Sequence, residues 1–259
     1  MSRLFKLKVA ISLCGVLLCN SLYGQFLEGV GDRASVKWRQ MSGPTYKVIY
    51  PKGEDSLALK YLWLLEQNRE ATMLGLGLEK SAKVPVVLHN RTANSNGLVT
   101  WAPKRMELYT IPPTDTYSHI WEEQLAIHEA RHVGQMTYFT KGIFNVLQYF
   151  IGEQSQGLGA GVYGSEWNME GDAVVAETEL TNSGRGREAD FLEYHRLSIL
   201  QGDLRRPQDW KFGSYKNYSS SLYQFGYLIN SAIRYNIDDY AISGKIFDKT
   251  VKKFYTPVV

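Results

Sequence analysis

The chain has 259 residues, enough for one large domain or two small ones with a real core. Its 44% hydrophobic, 21% charged and 13% aromatic residues are those of a globular protein, and it has no low-complexity tract. The formal charge of +3 comes entirely from Arg3, Lys6 and Lys8, so the rest is balanced and gives no electrostatic case for nucleic acid or an anionic membrane.

Residues 1–24 read as an export signal. A basic start precedes an apolar run from Val9 to Leu18, too short for a membrane span of about 20 residues, and small or polar residues lead to a cut after Gly24. Both cysteines, Cys14 and Cys19, leave with it. The mature chain is expected in the periplasm, at the outer membrane or outside the cell, without disulfides and without an integral membrane segment. Any metal site must then use His and carboxylates.

Residues 25–44 are Gly- and charge-rich and are expected to be irregular. Tyr46–Tyr50 reads as a strand, closed by Pro51-Lys52-Gly53. A helix capped at Asp55 or Ser56 runs to Leu74 on a broad leucine face, and Gly75 and Gly77 end it. Val84–Leu88 is a second strand, Asn90–Gly97 a polar loop leading to Leu98–Trp101, and Arg105–Ile111 a further strand. Residues 45–118 thus describe a small α/β lobe with a mixed sheet, and 119–255 a mainly helical lobe. Helices are expected at 120–139, 143–151, 166–180, 188–200, 218–235 and 238–254, with a Gly-rich loop at 156–164.

The first of these helices carries His128-Glu129-Ala130-Arg131-His132, the pattern H-E-x-x-H. Residues four apart share one face of a helix, so His128 and His132 can present two imidazoles to one metal ion. Glu129, beside them, is placed as a general base toward a water. Acidic Glu122 and Glu123 suit the helix start, and no Pro interrupts it.

A catalytic zinc needs a third protein ligand. The best source is Trp167-Asn168-Met169-Glu170-Gly171-Asp172-Ala173, followed by Glu177. Residues seven apart return to nearly the same face, so Glu170 and Glu177 can both look toward the metal helix. Here W-x-x-E-G-x-A with its later Glu resembles the third-ligand helix of the gluzincins, most closely that of aminopeptidase N-like and peptidase MA-like domains. The resemblance implies a zincin-like α+β fold with the site in the cleft between the lobes, one Zn²⁺ on His128, His132 and Glu170, and Glu177 supporting a ligand from behind. A structural ion pair is the other reading of Glu177. Tyr218, opening Tyr218-Ser219-Ser220-Ser221-Leu222-Tyr223, is similar to the gluzincin tyrosine that donates to the oxyanion, with Tyr223 as the other candidate.

Two departures stand out. The stretch between His132 and Glu170 is longer than in aminopeptidase-type members and holds the apolar helix and the Gly-rich loop, a candidate lid. Nor does a G-x-M-E-N motif precede the metal helix. Met106-Glu107 is only a fragment of it, which speaks against amine-anchored aminopeptidase action.

The expected function is therefore an exported zinc-dependent peptidase acting on a peptide or protein substrate, with an extended peptide pairing along the strand at 105–111. The alternatives are a zinc-stabilised envelope binding or assembly module that does not cleave, and a zinc hydrolase of another bond. Ser183-Gly184-Arg185-Gly186-Arg187 is either a site for a substrate carboxylate or a solvated loop. His89, His119 and His195 have no spacing that recruits them.

Overall fold

The computed structural model describes residues 31–114, 120–203, 205–213 and 215–253. The expected export signal and His119 lie outside them. The chain divides into a leading unit, Met1–Ser35, and a unit Val36–Val259 that contains every element described here.

Five strands form one mixed sheet: β1 (Trp38–Ser42), β2 (Lys47–Pro51), β3 (Pro85–His89), β4 (Gly97–Thr100) and β5 (Arg105–Tyr109), in the order β1-β2-β3-β5-β4. β2, β3 and β5 run parallel, while β1 and β4 pair antiparallel to their neighbours. The parallel step from β2 to β3 needs a crossover, and α1 (Asp55–Leu74) supplies it. Alternate residues Val48, Tyr50, Val86, Leu88, Met106 and Leu108 face inward against Ala58, Tyr61, Leu62 and Leu65 of α1.

Two sequence expectations are corrected here. Residues 38–42 are not irregular but form β1. Trp-Arg-Gln-Met-Ser shows no apolar alternation because this outer strand is mostly exposed, and its pairing with β2 holds it. The turn between them is fixed by Glu66, whose carboxylate accepts from the backbone N–H groups of Thr45 and Tyr46 at 2.7 and 2.9 Å. The strand at 105–111 is not the sheet edge either. β5 lies between β3 and β4, and the edge on that side is β4.

The rest of the folded chain is mainly helical: α2 (Trp121–Tyr138), α3 (Gly142–Ile151), α4 (Gln154–Tyr163), α5 (Glu166–Leu180), two 3₁₀ turns (Arg185–Arg187 and Asp190–Leu192), α6 (Glu193–Leu200), α7 (Pro207–Lys211), α8 (Leu222–Ile237) and α9 (Ile242–Lys252). The class is α+β. The Gly-rich stretch expected as a loop is α4. A Cβ on Gly159 would stand 2.9 Å from Phe139 and 3.0 Å from Phe144, so the glycine lets this helix close onto two aromatic rings, and packing overrides poor helix propensity. The helix expected from 188 starts at Glu193 behind the 3₁₀ turns, and that expected from 218 starts at Leu222. Ser221 caps α8, its N–H donating to Gln224 Oε1 at 2.8 Å.

α2 is the central element. Every residue from Gln124 to Met136 is buried, including the polar ones. Such groups are tolerated in a core only when hydrogen-bonded. Arg131 shows how. Its guanidinium donates to both carboxylate oxygens of Asp172 on α5 (2.8 and 2.9 Å) and to the carbonyls of Thr72 and Gly75 at the end of α1 (2.7 and 3.1 Å). Asp172 also takes Arg234 of α8 at 3.1 Å and the amide of Gln135 at 2.9 Å. Burial alone would raise the Asp172 carboxyl, but Arg131 and Arg234 hold it well below the usual carboxylate range. One buried carboxylate thus ties α2, α5 and α8 together.

Asp172→Asn leaves Arg131 buried without a counter-charge and should cost about 3–5 kcal/mol of stability, read as a lowered denaturation midpoint in chemical unfolding. A loss under 1 kcal/mol, the size expected for an exposed pair, would show that the pair does not hold the helices.

Candidate metal centre

His128 and His132 sit one turn apart on α2, their rings edge to face at 4.8 Å between centroids. Each ring is oriented through Nδ1. Nδ1–H of His128 donates to Glu177 Oε2 at 3.0 Å, and Nδ1–H of His132 donates to Gln135 Oε1 at 2.8 Å. The Gln135 assignment follows from its amide nitrogen, which is engaged by Met169 O and Asp172 at 2.9 Å each. Both Nε2 atoms are therefore left as bare acceptors.

Those acceptors meet a third. Glu170 Oε2 on α5 lies 3.1 Å from His128 Nε2 and 3.3 Å from His132 Nε2, and the two Nε2 atoms are 3.2 Å apart. Three lone-pair atoms at such spacing repel unless a cation sits among them. Tetrahedral zinc at about 2.0–2.1 Å from each ligand needs ligand atoms about 3.3–3.4 Å apart, close to the observed triangle. The donor set of two imidazole nitrogens and one carboxylate oxygen, with no thiolate, suits a divalent transition-metal ion such as zinc.

With protons as the only cations, the same crowding appears as shifted titration. Burial would lower His132, but the Glu170 carboxylate beside it more than reverses this and pushes it up to about 10. His128 is raised likewise through Glu170 and Glu177. Burial opposes the ionised Glu170, yet the two imidazoles hold its carboxyl far below the usual range. The pocket is built to hold positive charge.

Glu129 completes a buried His128–Glu129–His132 group whose ligand atoms all lie within 4.8 Å of one another. Burial raises its carboxyl above the ordinary range, although both imidazoles oppose this. Its carboxylate lies flush against the backbone of β4, where a Cβ on Gly97 would collide with it. The edge strand and the proposed base are in direct apposition.

Behind His128, Glu177 is fully buried. Arg185 of the Ser-Gly-Arg-Gly-Arg loop donates to both its oxygens at 2.6 and 2.9 Å, and Gln124 approaches at 3.5 Å. Burial would raise the Glu177 carboxyl, but Arg185 and His128 bring it down to about 2. The loop is thus not a solvated one. Gly184 lies directly on the backbone of Glu177 and Thr178, and Arg187 donates to Thr178 O at 2.9 Å, which carries Arg185 inward.

The two tyrosine candidates separate clearly. Tyr218 lies ahead of α8, is 63% exposed and packs its ring on Tyr194 at 4.3 Å; it is not among the residues brought together. Tyr223, in the first turn of α8, has its ring 6.1 Å from that of His128, with Arg185 5.1 Å over its face and the Glu170 charge acting on its hydroxyl. Burial, then the Glu170 charge, keeps that hydroxyl protonated far above neutral pH. A glycine contact puts it there. Gly171, next to Glu170, meets the backbone of Gly226 with no room for a Cβ on either, so α8 crosses α5 beside Glu170.

No family model matches this sequence, and no curated protein matches it. Of the remaining histidines, His195 is buried with Nε2 2.5 Å from Ser220 Oγ, and His89 stacks on Tyr109 at 4.7 Å. Spacing gives no signal for Asp172 or the inward turn of Arg185, which depend on how α5 and the loop after it fold back, whereas Gln135, three residues from His132, is legible as a neighbour on the same helix face.

The purified chain should bind one Zn²⁺, and His132→Ala or Glu170→Ala should weaken binding by more than about 100-fold, so that zinc loads only in excess. Glu177→Gln should weaken it about 10–100-fold. Competition against a chromophoric chelator measures all three.

Proposed function

We propose that the protein is a zinc-dependent peptidase of gluzincin type, with a zincin-like arrangement of its α+β fold. The observation that carries this reading is the triangle of His128 Nε2, His132 Nε2 and Glu170 Oε2 at 3.1–3.3 Å, with a buried carboxylate on one side and a tyrosine hydroxyl on another. His128, His132 and Glu170 would hold the ion. When bound, zinc supplies Lewis acidity toward a carbonyl oxygen and lowers the pKa of water in its coordination sphere.

The chain's own groups do the rest. Glu129, its proton affinity raised by burial, takes a proton from the attacking water and returns it to the leaving nitrogen. Tyr223, protonated throughout the neutral range, donates its hydroxyl to the oxygen that gains negative charge. Glu177, held ionised by Arg185, fixes the His128 ring through Nδ1, and Gln135 does the same for His132. The open edge of β4 runs past Glu129 at Gly97, and a substrate in extended form would add there as a further strand.

Peptide bonds are the favoured substrate because an edge strand beside the general base recognises backbone N–H and C=O groups. Export of the mature chain remains part of the proposal, supported by residues 1–24.

Glu129→Gln should keep the ion and lose nearly all turnover on a fluorogenic peptide library, and Tyr223→Phe should lower kcat about 10²–10³-fold with KM little changed. Tyr218→Phe should match the parent. Library silence from the zinc-loaded parent would instead favour a non-cleaving module or a hydrolase of another bond.

A further inference from the structure

The hairpin of α3 and α4 takes no part in the metal cluster. Between Gly142 and Gly164 the sole acidic or basic side chain is Glu153, and its carboxylate accepts from the backbone N–H of Lys104 at 2.8 Å. α3 buries Phe144 alone. Val146, Tyr149 and Phe150, at helical spacing on one face, are 52%, 87% and 81% exposed, and Leu158 and Val162 of α4 are about half exposed. Its polar residues are the neutral Asn145 and Gln148, and Gln148 is bonded to Gln156 at 2.8 Å.

A helix apolar around most of its circumference belongs in a protein core or in lipid. A contiguous apolar surface of this kind marks an interaction site. α3 spans only about 15 Å, half the hydrocarbon thickness of a bilayer. Among the described residues no helix is long and apolar enough to cross a membrane. The geometry suits shallow insertion into one leaflet.

Charge at the base of the hairpin favours a lipid surface over an apolar protein groove. Lys141 precedes α3, and a Cβ on Gly142 would stand 3.3 Å from Val251 of α9, where the exposed Lys249 and Lys252 occupy the last turn. Asp248, paired with Lys252 at 2.6 Å, offsets one of the three. Beyond residue 24 the basic and acidic side chains balance and give no long-range attraction, so any contact is local. It combines apolar insertion with lysines at headgroup level.

We propose that the α3–α4 hairpin docks the protein onto an anionic bilayer, inserting Val146, Tyr149, Phe150, Leu158 and Val162, with Lys141, Lys249 and Lys252 against the headgroups. This does not depend on the cluster being hydrolytic. The test is vesicle sedimentation of the full chain combined with hydrogen exchange, using vesicles of equal parts phosphatidylglycerol and phosphatidylethanolamine. Backbone exchange should slow across 142–164 on vesicle addition. Tyr149→Ser with Phe150→Ser should cut the bound fraction about tenfold at unchanged melting temperature, and Lys249→Glu with Lys252→Glu should weaken binding in low salt. Unaltered exchange across 142–164, even if the chain pellets through its apolar leader, would overturn the proposal. Undiminished binding of either double variant would do the same, as would a partner protein protecting the hairpin where vesicles do not.

Discussion

A helix buried on every side, and carrying imidazole, carboxylate, guanidinium and amide groups, must find a partner for each of them. α2 is such a helix from Gln124 to Met136, and the rest of the folded unit is arranged to supply those partners. Arg131 ties it to two neighbours, holding Asp172 of α5 with one edge of its guanidinium and the carbonyls at the end of α1 with the other. Gly75 makes this possible, since a Cβ there would stand 2.7 Å from Arg131 Nη1. Arg131, within the H-E-x-x-H stretch, is thus the residue that ties α2 to the helix carrying Glu170.

From that anchor the cluster assembles in steps. Two residues of α5 meet α2 at different points: Asp172 at Arg131 and Gln135, and Glu170 at His128 and His132. Gly171 between them leaves room for α8, which delivers Tyr223. Seven residues beyond Glu170, Glu177 returns to the same face and takes Nδ1 of His128, while the Gly184 contact folds Arg185 back onto it. The two imidazoles are held by hydrogen bonds through Nδ1 to Glu177 and Gln135, and Glu129 is buried beside them against Gly97.

Much of this could be read from residue spacing. His128, Glu129 and His132 follow from a four-residue period on a helix, while Glu170 and Glu177 came from the W-x-x-E-G-x-A resemblance, with which their seven-residue spacing agrees. The end of α1 follows from Gly75, but its start does not follow from a cap at Asp55 or Ser56, because Asp55 is already in the helix and Glu54 ahead of it makes no side-chain cap. What spacing did not carry was anything decided across the fold. Tyr218 and Tyr223 are indistinguishable by composition, and the choice rests on Ser221 capping α8 so late that Tyr218 stays outside the helix. α4 looked like a loop because Gly159 serves packing against Phe139 and Phe144, a reason invisible in local propensity. β1 lacks alternation because it lies at a mostly exposed edge. The order β3-β5-β4, which makes β4 the strand beside Glu129, depends on a pairing that strand propensity does not specify.

The central claim is that two imidazoles and one carboxylate converge on a single cation. X-ray absorption at the zinc edge of the metal-loaded protein tests it directly. The account predicts a shell of nitrogen and oxygen at about 2.0–2.1 Å, with the outer-shell scattering of two imidazoles that falls to one in His132→Ala. A shell of oxygen alone, or one unchanged by that substitution, would contradict it.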